Sequence, residues 1–134
     1  MALLPLVLGT TLAGVLAVPL SIDLLVNERA TALRGGTVVI RGTVTCSAET
    51  LLTFEGQVVE SVGRTGMAVG TFATELPCGT SPTPWTVIVT SDSGVPFRPG
   101  FALADVQVVG FDPESGTFTG VQSLVFLHLT RSAR

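Results

Sequence analysis

After Val18 the apolar residues of this chain do not recur at helical spacing. They alternate singly with polar ones, in runs broken by Gly, Pro, Ser and Asp at short intervals. Strand side chains point to opposite faces with a period of two, so such runs read as strands with one buried face. The clearest is Thr37–Cys46, where Val38, Ile40, Gly42, Val44 and Cys46 share one side and Thr37, Val39, Arg41, Thr43 and Thr45 the other. Gly35-Gly36 supplies the turn before it. Ile22–Leu33 groups Leu24, Val26 and Ala30, with a bend or bulge expected at Asn27-Glu28. Leu51–Glu60 turns Leu52, Phe54, Gly56 and Val58 inward. Arg64–Glu75 is weakened by Gly66 and Gly70, which suits a sheet edge. Trp85–Thr90 aligns Trp85, Val87 and Val89, and Phe101–Val109 aligns Ala102, Ala104, Val106 and Val108. Val121–Leu129 is apolar on both faces at its end, as expected of a central or well-covered strand. Short strands in this number, with an inward Trp, predict an all-β, seven-stranded immunoglobulin-like β-sandwich. A small closed barrel is the alternative.

Composition narrows the function classes. Of 134 residues, 46% are hydrophobic and 13% charged, against about 25% charged in ordinary soluble domains. The chain is too apolar for disorder and long enough to bury one core. Seven basic residues, all Arg, against ten acidic ones leave a net charge of −3 with no basic patch. That excludes nucleic acid as a partner.

Residues 1–17 form an apolar, signal-like segment ahead of a single domain spanning 18–134. No side chain from Met1 to Ile22 is charged, and Val15-Leu16-Ala17 offers a cut site before Pro19. Signal peptides combine such an apolar stretch with small residues at the cut, although the usual basic start is absent here. A membrane anchor or an element of the core are the alternatives, because the run is barely of spanning length and contains Pro5 and Gly9. The only cysteines, Cys46 and Cys78, lack the spacing of a redox pair, and the single His128 cannot complete a zinc site with them. A structural disulfide is the simplest outcome, with two free buried thiols as the alternative. Signal and bridge together predict an extracellular, secreted or cell-surface protein with no membrane span once mature.

Residues able to do chemistry are sparse. His128 lies in an apolar strand, Phe126-Leu127-His128-Leu129, where a structural role outweighs a catalytic one. Glu55 and Glu60 are an odd number of residues apart on one predicted strand, so they face opposite sides and cannot act as a glycosidase pair. A loop calcium site built from Asp112, Glu114 and backbone carbonyls is one use those acids allow. No catalytic residue, cofactor site or metal site is assigned. Phe97, Phe101, Phe111 and Phe118 fall in or beside predicted loops. There they either anchor a partner or plug the open ends of a sandwich.

One stretch carries a resemblance. Gly36-Thr37-Val38-Val39-Ile40-Arg41-Gly42-Thr43-Val44-Thr45-Cys46, Gln57, Gly63-Arg64-Thr65-Gly66, Cys78-Gly79, Trp85 and Phe97-Arg98-Pro99-Gly100 before Ala102 resemble small secreted actinobacterial immunoglobulin-like domains of unknown function. The likeness runs from Gly36 to Leu129 and implies a framework, with no catalytic residue to carry over. Gly36-Thr37-Val38-Val39 is also similar to the opening strand of neocarzinostatin-like apoproteins, whose two-bridge pattern these cysteines do not fit. The expectation is a non-enzymatic binding or cell-surface interaction module for an unknown protein or small-molecule ligand. The alternatives are a carrier of a small apolar molecule in a cleft, and an assembly subunit using its N-terminal segment as an inter-subunit contact.

Overall fold

The computed structural model describes residues 19–132 apart from residue 65. The signal-like segment Met1–Ala17 lies outside the described residues. The fold is all-β, with eight strands among the described residues: β1 (Ile22–Val26), β2 (Arg29–Ala32), β3 (Val38–Cys46), β4 (Thr50–Val62), β5 (Gly66–Cys78), β6 (Thr83–Val89), β7 (Gly100–Asp112) and β8 (Thr117–Arg131). All belong to one mixed sheet, ordered β1-β3-β2-β8-β7-β4-β5, with β6 on the other edge of β3. Only β2 and β8 pair in parallel; the remaining ladders are antiparallel.

The eighth strand corrects the sequence count. Ile22–Leu33 was expected to be one strand with a bend at Asn27-Glu28, and the bend instead separates two strands. Up to Val26 the chain pairs with Gly42–Cys46 of β3. After the bend β2 bridges from β3 to the last turn of sheet, setting Arg29 beside His128 and Ala32 beside Arg131. A second correction concerns the final run. It was expected to be central or well covered, yet among the described residues β8 has strands on both sides only at His128 and Leu129.

The sheet turns back on itself so that its two ends share one core. Alternate residues of β4 and β7 (Leu52, Phe54, Val58; Ala102, Ala104, Val106, Val108) are buried against Val38, Ile40 and Val44 of β3 and Val87 and Val89 of β6. These inward sets are those the alternation predicts. Phe54 meets Trp85 with ring centroids 5.2 Å apart, an edge-tilted arrangement suited to the ring quadrupoles. Gly42 makes room for that indole: a Cβ there would come within 2.6 Å of the Trp85 ring. The turn before β3 places Gly36 at φ 84°, a left-handed conformation that side chains with a Cβ resist. Cys46 and Cys78 are joined, with Cα atoms 5.9 Å apart and both residues buried. The bridge ties β3 to the far end of β5, across the turn of the sheet. Closing a loop of this length stabilises by roughly 3–4 kcal/mol.

Candidate functional site

The outward face of the four long strands β5-β4-β7-β8 is the most distinctive surface of the molecule. The β7–β8 register sets Phe101 opposite His128, Leu103 opposite Phe126, Asp105 opposite Leu124, Gln107 opposite Gln122 and Phe111 opposite Phe118. Partners in a ladder point to the same side, so the face carries three zones. One end is apolar: Phe101, Leu124 and Phe126 are 70%, 65% and 73% exposed, with Leu103 beside them. The middle is polar, with Glu55, Gln57, Asp105, Gln107 and Gln122 in adjacent rows; Gln122 Nε2 donates to Asp105 Oδ1 at 2.8 Å. The other end is apolar again, where exposed Phe111 and Phe118 rings lie 5.1 Å apart.

A hollow of about 550 Å³ opens at the first apolar end, where β8 parts from β2. Glu28, Arg29, Phe101, Leu124, Val125, Phe126 and His128 line it. The fork arises because His128 N–H still donates to the Glu28 carbonyl at 2.7 Å, while residues of β8 before it have no strand on that side among the described residues. The Phe101 ring stacks on His128 at 5.0 Å and 19°. Imidazole and phenyl together make a flat, half-apolar wall. A second hollow, of about 500 Å³, lies over the polar middle between Glu55, Gln57, Thr71, Asp105 and Gln107. A third, of about 320 Å³, gathers Arg34, Arg98 and Arg131 at the turn of Gly36.

The four phenylalanines divide between the two roles expected of them. Phe97 is buried and plugs the core. Phe101, Phe111 and Phe118 stand on the outward sheet face, on strands that extend further than the sequence pattern indicates. Leu124 and Phe126 were not singled out from sequence. Their signal was present, because an apolar residue on both sides of a strand means either two covered faces or one bare one.

The acidic candidates separate. Glu55 is exposed on the outward face and Glu60 is buried on the inward one. Arg98 N–H donates to Glu60 Oε1 at 2.8 Å. Burial pushes the Glu60 carboxyl above its ordinary range, opposed by that hydrogen bond and by the charge of Arg98. Asp112 closes the β7–β8 turn. Its Oδ1 accepts from the Glu114 amide and its Oδ2 from the Ser115 hydroxyl, both at 3.0 Å. Burial raises its pKa, but the Ser115 hydroxyl and the amides of Glu114, Leu20 and Ser115 outweigh that and leave it lowered. These hydrogen bonds make Asp112 the cap of the β7–β8 turn. Among the described residues no group of three or more His, Cys, Asp or Glu side chains is placed to hold a metal, and no helix is long and apolar enough to cross a membrane.

No family model matches the chain, and no curated protein matches it. Among solved structures, the sporulation control protein Spo0M of Bacillus subtilis is similar at a TM-score of 0.38, with 11% identity over 81% of this chain and 49% of that one. Pseudomonas fluorescens alkylpurine DNA glycosylase AlkC, bound to DNA containing an abasic site analog, gives a TM-score of 0.35 and 19% identity over 81% of this chain and 30% of its own. The chain thus spans less than half the length of either, and likenesses this slight carry no functional argument.

Proposed function

We propose that this is a non-enzymatic interaction module of the cell exterior, a secreted or surface-held domain of immunoglobulin-like sandwich type that binds through its outward sheet face. The observation that carries this is the bare apolar cluster of Phe101, Leu103, Leu124 and Phe126 beside a closed core. Contiguous apolar surface on a soluble domain marks a contact site. The polar band next to it would fix orientation, as polar groups around an apolar anchor do. The Cys46–Cys78 bridge is compatible with an oxidising compartment.

A carrier would enclose its apolar cargo. Here the three hollows described above open to solvent, and the interior residues Leu52, Phe54 and Val106 line none of the three. The test compares wild type with a Phe101→Ser, Leu103→Ser double variant whose unfolding midpoint is unchanged, for saturable binding to envelopes of the source cell. Binding by wild type and its loss in the variant is expected. Equal binding by both proteins would remove the face as the site. A stoichiometric apolar small molecule, released only on denaturation, would favour the carrier.

A further inference from the structure

Strand β8 leaves one long side open. Because His128 N–H points to β2 and strand residues alternate, the even-numbered residues of β8 direct their backbone groups away from β7. Going back along the strand these are Phe126, Leu124, Gln122, Gly120 and Phe118, and on the side away from β7 no described strand pairs with them. Soluble proteins blunt such edges with charge, proline, a bulge or a covering loop, because an open row of N–H and C=O groups templates pairing with another strand. No Asp, Glu, Lys, Arg or Pro lies between Glu114 and Arg131. The β7–β8 register runs without a bulge from Gly100 opposite Leu129 to Asp112 opposite Thr117.

We infer that β8 is a homodimer edge: two copies of this chain pair antiparallel through Thr117–Leu127 about a two-fold axis at Gln122. The open edge is complementary to a second copy of itself. The open stretch is centred on Gln122, so pairing about that residue uses its whole length. It sets Gln122 against its own counterpart, with each edge-facing amide opposite an edge-facing carbonyl. On the outward face, Phe118 then lies opposite Phe126 of the other copy, twice over. Gly120 lies opposite Leu124, so small meets large. Aromatic cross-strand pairs of this kind strengthen a ladder. No charged side chain meets its own image at the axis, and the contact is isologous and closed, so assembly stops at two. The long strands of both copies would form one continuous sheet. This inference does not rest on the binding role of Phe101 and Leu103, which lie one strand in.

The test is the sedimentation-derived mass of the full chain, together with Gln122→Cys under oxidising conditions. Wild type is expected to sediment as a concentration-dependent dimer. Gln122→Cys is expected to form a disulfide-linked dimer on non-reducing gels, while Gln107→Cys, on the same face of β7, does not. Gln122→Pro removes an edge-facing N–H that β7 does not use and should raise the dissociation constant by about tenfold or more. If that variant fails to fold, Gly120→Lys replaces it. A Cβ at Gly120 meets nothing nearer than 3.5 Å, and the added charge would face Leu124 of the other copy. A monomer at every concentration, including one whose edge amides are protected from exchange by its own residues 1–18, overturns the inference. So does a dimer that persists in folded Gln122→Pro or Gly120→Lys, or one that cross-links as readily through position 107.

Discussion

The sheet has two outer edges among its long strands, and they are treated in opposite ways. The edge at β5 is covered. Asp92 N–H donates to the Val69 carbonyl at 2.6 Å, and its carboxylate accepts from Thr71 N–H at 3.2 Å. Ser93 Oγ donates to the Met67 carbonyl at 2.7 Å. Glu75 and Pro77 sit on the same strand, and the Cys46–Cys78 bridge fastens its end. The edge at β8 has none of these devices before His128. Both strands pair with one long neighbour in an unbroken antiparallel register, so the ladders do not explain the contrast. What differs is the chemistry on the outer side. Protection of this kind guards against unintended pairing, and the described part of β8 before His128, a strand rich in Phe and Leu, is the edge of the proposed dimer.

Removing the protection of β5 should expose the asymmetry, and the largest effect belongs to the bridge. Cys46→Ser is expected to cost about 2–5 kcal/mol, read as a lower denaturant midpoint that reduction of wild type reproduces. An unchanged midpoint in reductant would mean that the β5 end is held by packing alone. Asp92→Ala should cost about 1–2 kcal/mol through the lost hydrogen bonds to Thr71. It should also make the protein scatter light sooner on standing, because the β5 edge is then open as well. A variant as soluble and stable as wild type would show that the Asp92 cap is idle.

Glu60 tests the loop that follows that cap. Its folded pKa is raised, so the folded state holds its proton more tightly than the unfolded chain. The stabilisation is fully present below the ordinary value near 4.5 and is lost as pH rises through the raised one. Glu60→Gln should flatten that slope in unfolding measured against pH, and a slope equal to that of wild type would assign it to other groups. Asp112 works with the opposite sign. Its lowered pKa supplies stability that persists above about 3.8 and fades as pH falls through the folded value. The smallest effect is at His128, where the covered part of β8 begins. His128→Ala removes a ring stacked on Phe101 and should change stability by less than about 1 kcal/mol, leaving binding intact. Loss of function in a stably folded variant would give the imidazole a direct role.

The inward residues were largely legible from sequence. Leu52, Phe54, Val58, Trp85, Val87, Val89 and the alternate residues of Phe101–Val109 are buried as their period of two requires. The weak run with Gly66 and Gly70 is an edge strand, as its glycines suggest. The cysteines met because Cys46 occupies an inward position of β3. The misplacements share one cause. Splitting Ile22–Leu33 into two strands depends on β8 arriving beside Arg29, a contact about a hundred residues away in sequence. Taking Val121–Leu129 for a covered strand assumed that apolar residues on both faces are both buried, whereas Leu124 and Phe126 face solvent.

Alternation along the backbone thus determined which side chains of this protein face inward, because a pleated strand leaves each residue only two directions. It also placed some of the turns, such as that at Gly35-Gly36, because Gly acts locally. Which strand stands at which edge was decided only by the tertiary structure. Hydrogen bonds between strands form at right angles to the chain, and their partners are chosen by packing over long separations that no local pattern records. The open side of β8 among the described residues is a consequence of that choice.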